Sequence, residues 1–209
     1  AVEVGAEAAL LMDCYYNGPS TLELRTEYNE VVAREFPKTF ITPYIIPART
    51  GTQLEVEDLA ILHRRYKNVR AVKEATGDLE RMAKTRRLLG DAFDIISGDD
   101  DMTVAMMTRE DIKAQGVVSV ISNICPGALA EMTAALSKGD IAKGKKLAEA
   151  LDPLFKIVTV KTIEEYVQSG ANLTRQLLAF ARGGKYEIKP ANLNEIVEKT
   201  STLFGRTKK

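Results

Sequence analysis

Five short apolar runs punctuate the first 122 residues, separated by charged stretches of helical period. The runs are AALLMDC (8–14), FITPYII (40–46), VRAVKEA (69–75), FDIISG (93–98) and GVVSVIS (116–122). Near-continuous apolar character over such lengths predicts strands covered on both faces, as in a parallel sheet. After the first run, LELRTEYNEVVAREF carries Leu24, Tyr28, Val31 and Val32 at helical spacing. Ser20 and Glu23 ahead of it form a capping-box signature. VEDLAILHRRY, DLERMAKTRRLLG and the short MTVAMM supply the next connecting helices. Strand-to-strand intervals of ~20–30 residues suit βαβ units.

No Gly-rich dinucleotide turn follows a strand, which favours a (β/α)8 TIM barrel over a Rossmann sheet. Five of the eight β/α units are visible. The expectation is therefore an α/β chain holding the C-terminal five units of a TIM barrel, followed by a helical appendix. The opening AVEVG lacks Met and resembles the last turn of a helix, so further chain is expected before Ala1. Residues 1–137 would form the partial barrel and 138–209 a helical domain. There, IAKGKKLAEALDPLFKIV, IEEYVQSGANLTRQLLAFARGG and PANLNEIVEKTSTLF predict successive helices with Gly and Pro at their joints.

Composition narrows the function classes. Of 209 residues 45% are hydrophobic, and 29 basic side chains balance 29 acidic ones. Zero net charge leaves no electrostatic footprint for nucleic acid or an anionic membrane. No apolar run approaches the ~18–20 residues of a spanning helix. Cys14 and Cys125 lie far apart without a C-x-x-C pair, which gives neither a disulfide framework nor a zinc site and suits a cytoplasmic protein. His63, in LHRRYKN, is expected on the surface, and as the single histidine it offers no His cluster for a metal.

Barrel active sites lie at the C-terminal ends of the strands, so those positions carry the candidate chemistry. They hold Tyr15, Tyr16 and Asn17, then Tyr44 and Arg49, then Lys73 and Glu74, then Gly98 and Asp99–Asp101, then Val118, Ser119 and Asn123. A desolvated lysine has a lowered pKa and supplies the free amine that attacks a ketone to form an imine. A tyrosine hydroxyl can shuttle the accompanying protons, and an arginine can grip a carboxylate in bidentate fashion. Together they describe a site for a 2-oxo acid such as pyruvate. Each residue alone has a plainer role: Lys73 snorkelling from a strand end, Tyr44 as a core aromatic, Arg49 as a solvated loop charge, the Tyr15–Tyr16 pair as edge packing. The Asp99–Asp101 run is most simply a helix N-terminal cap, with a divalent-cation site as the sharper reading. Coincidence at successive strand ends favours the chemical role for lysine, tyrosine and arginine.

In order, YYNGPS, PYIIPARTG, AVKEATGD, ISGDDD and GVVSVISN resemble the motifs of the dihydrodipicolinate synthase and N-acetylneuraminate lyase superfamily, over about residues 5–137. The resemblance implies that Lys73 is the Schiff-base lysine, so that the only covalent partner is substrate and no cofactor is needed. It implies that Tyr44 is the proton-relay tyrosine and that Arg49 receives the second substrate's carboxylate. Tyr16 would complete the relay of a neighbouring subunit, and Gly98 and Val118 would lie at the pyruvate pocket. A homo-oligomer built as a dimer of dimers is implied, with pyruvate and an aldehyde as small-molecule partners. The arginine of PARTG favours the dihydrodipicolinate synthase branch, which joins pyruvate to aspartate semialdehyde in diaminopimelate and lysine synthesis. The alternatives are a related 2-oxo-acid aldolase, of the 2-keto-3-deoxygluconate aldolase or N-acetylneuraminate lyase type, a metal-dependent barrel lyase, or an inactive half-barrel partner protein. Three features depart from the family pattern. The Gly-Thr-Thr-Gly-Glu stretch upstream of these motifs has no counterpart, Gly18 stands where synthases carry a basic residue, and an Asn-Pro-Ile-Pro-Val-Lys-like segment is replaced near 163–180.

Overall fold

The structure, a computed structural model, describes residues 2–156. The helices expected within IEEYVQSGANLTRQLLAFARGG and PANLNEIVEKTSTLF, and the departure near 163–180, lie outside the described residues. Five strands form one parallel sheet: β1 (Ala8–Met12), β2 (Phe40–Ile45), β3 (Ala71–Glu74), β4 (Asp94–Ser97) and β5 (Gly116–Val117). Their spatial order is their chain order, β1-β2-β3-β4-β5, which is what consecutive βα units produce.

The first connection is helical over 21–35, and its entry is sealed as its sequence predicts. Ser20 Oγ accepts the Glu23 N–H at 3.3 Å while Glu23 Oε2 accepts the Ser20 N–H at 2.8 Å. A wider π turn runs through Leu24–Asn29, where the Asn29 amide donates to the Leu24 carbonyl at 2.9 Å. Val56–Arg65 and Leu79–Leu89 are the next full helices, Thr103–Thr108 is short, and Pro126–Ser137 follows β5. A last helical stretch occupies 141–156. Among the described residues, no helix is long and apolar enough to cross a membrane.

Ile41, Ile45, Val72 and Ile95 of the sheet pack against Leu24, Leu59, Leu62 and Met82 of the helices, with Phe93 wedged among them and fully buried. Each such side chain contributes about 1.5–3 kcal/mol through its burial. A second cluster joins Leu129, Met132 and Leu136 to Leu151 and Phe155, which seats the 141–156 helix on Pro126–Ser137.

Three expectations change. The strands are shorter than their apolar runs, and β5 stops after two residues, because the chain leaves the sheet and turns through Ile121–Asn123 in a 3-10 helix. Burial alternates instead of being uniform: in β2, Ile41, Pro43 and Ile45 are buried, whereas Phe40 is exposed and Thr42 and Tyr44 are half-buried. His63 is half-buried and not fully on the surface. Its Nδ1 lies 2.7 Å from the Val69 carbonyl and its ring meets Phe93 edge-on at 4.9 Å, so packing and a hydrogen bond draw it inward. The Gly18 departure has a conformational basis. Asn17 and Gly18 both adopt left-handed backbone, with φ of 65° and 55°, and a side chain at Gly18 would be strained.

Candidate active site

Parallel register sets one row of side chains near the C-terminal edge of the sheet. Met12 pairs with Tyr44, Tyr44 with Lys73, and Lys73 with Ile96, so all four point to the face away from the helices. The next row, on the helix side, includes Ile45, Glu74 and Ser97.

Lys73 reaches this row because VRAV builds β3 and Thr76–Asp78 turns the chain into the following helix. Gly77 takes φ +71°, and the Asp78 carboxylate caps the helix by accepting the Glu80 and Arg81 N–H groups, both at 3.0 Å. The Lys73 Nζ sits over the Tyr44 ring, 3.8 Å from its centroid. Only 8% of Lys73 is exposed, and burial holds its pKa below the usual lysine value despite the opposing fields of Asp99 and Asp100. Burial and the Asp99 field push the Tyr44 phenol upward, against a smaller effect of Arg49, so it stays protonated at neutral pH. Asp99 is itself raised by desolvation and the neighbouring Asp101, while Lys73 and Arg49 pull it back. Lysine, tyrosine, aspartate and arginine thus form one electrostatic group.

Gly98 clears the space for this lysine. A Cβ there would come within 2.6 Å of the Ala75 Cβ, 3.1 Å of the Glu74 carbonyl and 3.1 Å of the Lys73 Cε. Arg49 lies in the one-turn helix Pro47–Thr50, ended by Gly51. Tyr16 and Val118 stand further out, 74% and 45% exposed. Val118 follows directly on β5, its N–H bonded to the Ser97 carbonyl at 2.9 Å.

The acidic run does something other than cap the next helix. Thr103–Thr108 begins after Met102 with no side-chain cap, while Asp100 Oδ2 accepts the N–H groups of Val120 and Ile121 at 3.0 and 3.1 Å. Two adjacent N–H groups of the turn after β5 face this carboxylate, and that tertiary arrangement outweighs the local cap. Among the described residues no group of three or more His, Cys, Asp or Glu is arranged to hold a metal ion.

A sequence model described as "Dihydrodipicolinate synthetase family" matches residues 1–177. The chain is 33% identical over 206 residues to the 4-hydroxy-tetrahydrodipicolinate synthase of Hydrogenobaculum sp., covering 97% of this chain and 69% of that protein. The crystal structure of dihydrodipicolinate synthase from Aquifex aeolicus superposes with a TM-score of 0.74 at 29% identity, covering 96% of this chain and 68% of that one. A structure titled as the first monomeric dihydrodipicolinate synthase variant matches with a TM-score of 0.70 at 30% identity, over 76% of this chain and 52% of that one. This chain belongs to the dihydrodipicolinate synthetase family. It spans roughly half to two thirds of the length of these relatives.

Family membership makes the five-stranded sheet part of a TIM barrel, as the repeated β/α units and missing dinucleotide turn led one to expect. The Lys73–Tyr44 row then lies at the end of the strands where barrel enzymes of every chemistry carry their sites. One group in this family member escaped the motif reading. Behind the Lys73–Tyr44 row, on the helix side, Asp13, Glu74 and Arg81 are buried at 0%, 0% and 7% exposure. Arg81 Nε lies 3.4 Å from Glu74 Oε1. Burial pushes the Glu74 carboxyl up to about 7 and that of Asp13 up to about 6, with Arg81 opposing both shifts. Charged residues at the helix-facing ends of the first and third strands, Asp13 and Glu74, were the available signal.

Proposed function

We propose that the protein is a pyruvate-dependent Schiff-base lyase that condenses pyruvate with aspartate semialdehyde, the 4-hydroxy-tetrahydrodipicolinate synthase reaction. The observation that carries this reading is Lys73, desolvated and seated on the Tyr44 ring at the end of β3. The resemblance of its motifs implies the substrate pair, and its relatives carry the name of that synthase.

Burial raises the fraction of Lys73 present as free amine. That amine attacks the ketone carbon of pyruvate and gives a carbinolamine, whose hydroxyl leaves as water once protonated. The resulting iminium acidifies the adjacent methyl group, and loss of one methyl proton yields an enamine. The enamine carbon attacks the aldehyde, a C–C bond forms, and the aldehyde oxygen takes up a proton. The amino group of the aspartate semialdehyde moiety then attacks the regenerated iminium carbon, closing the ring and displacing Lys73 as the free amine. Tyr44 is suited to move these protons, because its raised pKa keeps a hydrogen on the phenol between steps. Arg49 takes the carboxylate of aspartate semialdehyde, as an exposed guanidinium beside the reacting row can. Gly98 and Val118 flank the pyruvate pocket, and no cofactor takes part. Tyr16, at 74% exposure, serves a neighbouring copy in a homo-oligomer, a dimer of dimers. The two free cysteines suit a cytoplasmic location.

The test is incubation of the full-length protein with pyruvate and borohydride, followed by peptide mass mapping. A reduced pyruvate adduct on Lys73 is expected. Absence of an adduct, or an adduct on another lysine, overturns the assignment. Sedimentation at working concentration decides between the oligomer and a monomer.

A further inference from the structure

Leu54 is fully buried in the loop that leads away from Arg49, and side chains from two other elements take both polar groups of its backbone. Asp13, just past β1, accepts the Leu54 N–H through Oδ2 at 2.9 Å. Arg81, in the helix after β3, donates through Nη2 to the Leu54 carbonyl. The same guanidinium reaches Glu55 through Nη1 at 3.0 Å and Glu74 through Nε at 3.4 Å. Glu74 is the residue after Lys73. One arginine therefore ties the strand that bears the lysine to the loop that bears the arginine, and Asp13 ties that loop to the strand before Tyr16.

We propose that Asp13 and Arg81 are positioning residues whose clamp on the Leu54 peptide, backed by the Arg81–Glu74 ion pair, sets the place of the Arg49 loop relative to Lys73. The proposal rests on the function assigned above. Its physical argument is one of cost and placement. Three buried charges are expensive, and apolar residues of similar volume are often as stable or more so. Here they sit directly behind the reacting row, at the ends of the strands that carry its residues. The rest of the loop is held by one local bond, from Thr50 Oγ1 to the Thr52 carbonyl at 2.7 Å, and one tertiary bond, from Thr52 Oγ1 to the Pro19 carbonyl at 2.6 Å. The segment between Arg49 and Leu54 is thereby a stiff arm, with β2 at one end and the clamp at the other. Slack at the clamp moves Arg49 without moving Lys73.

The test compares Arg81→Lys, Asp13→Ala and Asp13→Asn in the full-length protein. Lysine keeps the positive charge but not the fork that reaches Leu54, Glu55 and Glu74 together. Arg81→Lys and Asp13→Ala are expected to raise KM for aspartate semialdehyde roughly 10-fold or more, with KM for pyruvate and borohydride trapping at Lys73 changed less than about twofold. Asp13→Asn keeps an acceptor for the Leu54 N–H and should restore the lower KM. Hydrogen exchange gives a readout independent of turnover, in which Asp13→Ala speeds the Leu54 amide while the Val72 amide keeps its protection. Unchanged KM for the aldehyde overturns the proposal, as does a parallel loss of pyruvate trapping and of global protection. If the wild-type protein traps no pyruvate, the assigned function fails, and the exchange of Leu54 still decides whether the clamp exists.

Discussion

Lys73 and Glu74 are consecutive residues of one strand, and the pleat sends them to opposite faces of the sheet. Both are desolvated, and in both burial favours the neutral form: the lysine is pushed down and the glutamate up, to about 7. The same physical cause serves two ends. On the face away from the helices Lys73 lies over a tyrosine ring within the fields of Asp99 and Asp100, which oppose its desolvation, and under the proposed imine chemistry its neutral form is the nucleophile. On the helix face Glu74 is fully buried against Arg81, and nothing can approach it.

The two sides are most sharply separated by Lys73→Arg. A guanidinium stays protonated at any working pH and cannot attack a ketone. Turnover should fall by at least ~10⁴-fold, as expected when a covalent nucleophile is removed. Borohydride should then trap no adduct, while thermal unfolding stays near that of the wild type. Residual trapping at another lysine would transfer the role elsewhere.

Tyr44→Phe comes next. Phenylalanine retains the ring beneath Lys73, so the cation–π contact of about 0.5–2 kcal/mol survives while the hydroxyl is lost. A fall in kcat of ~10²–10⁴-fold is expected if the phenol moves protons. The pyruvate adduct should still form, but more slowly in stopped-flow trapping. A kcat within twofold of the wild type would reduce Tyr44 to packing.

Gly98→Ala acts on the same face by crowding. Its new methyl would meet the Ala75 Cβ at 2.6 Å and the Lys73 Cε at 3.1 Å. The Ala75 Cβ has no rotamer to move it aside, so the backbone of β3 or β4 must shift, displacing the Lys73 stem with it. We expect a stability loss of about 1–3 kcal/mol by calorimetry. A rise in KM for pyruvate should accompany it, without loss of the reducible imine. An unaltered KM would show that the Lys73 stem has slack.

What the amino-acid pattern revealed follows the same division. Lys73, Tyr44 and Arg49 were legible because strand ends in a repeated βα pattern announce a site, and a charge there stands out against an apolar run. Glu74 was quoted beside Lys73 yet assigned nothing, since a strand pattern reports the face it buries but not the helix residue waiting there. Arg81 lies in a charged helix where nothing marks it as the one that turns inward, and Asp13 depends on a backbone N–H 41 positions away in the chain. Asp100 illustrates the same limit: its cap is formed with Val120 and Ile121, not with the helix that follows it. The strand runs were overextended because apolar residues continue into buried turns, as Ile121 does after β5.

The smallest effect on activity, and the most direct probe of the helix face, is Glu74→Gln. The Glu74 carboxyl is raised to about 7 from 4.5 chiefly by burial, with Arg81 and the nearby Thr76 opposing and the Asp13 field adding. Its folded pKa thus exceeds its unfolded one, and between those values the native state holds the extra proton. Stability from this group is therefore full at low pH and declines as pH rises toward about 7, by at most roughly 3 kcal/mol. Glutamine removes that decline. Asp13, raised to about 6, titrates in the same window in both proteins, so the difference between them isolates Glu74. The unfolding midpoint of Glu74→Gln relative to wild type should climb from pH 5 to pH 8, whatever its sign at pH 5, where Arg81 still holds Glu55 and Leu54. Turnover should change less than about threefold, since the Leu54 clamp is retained. A midpoint difference that is flat with pH would mean that Arg81 keeps Glu74 ionised throughout, and that the two neighbours on β3 do not share a response to burial.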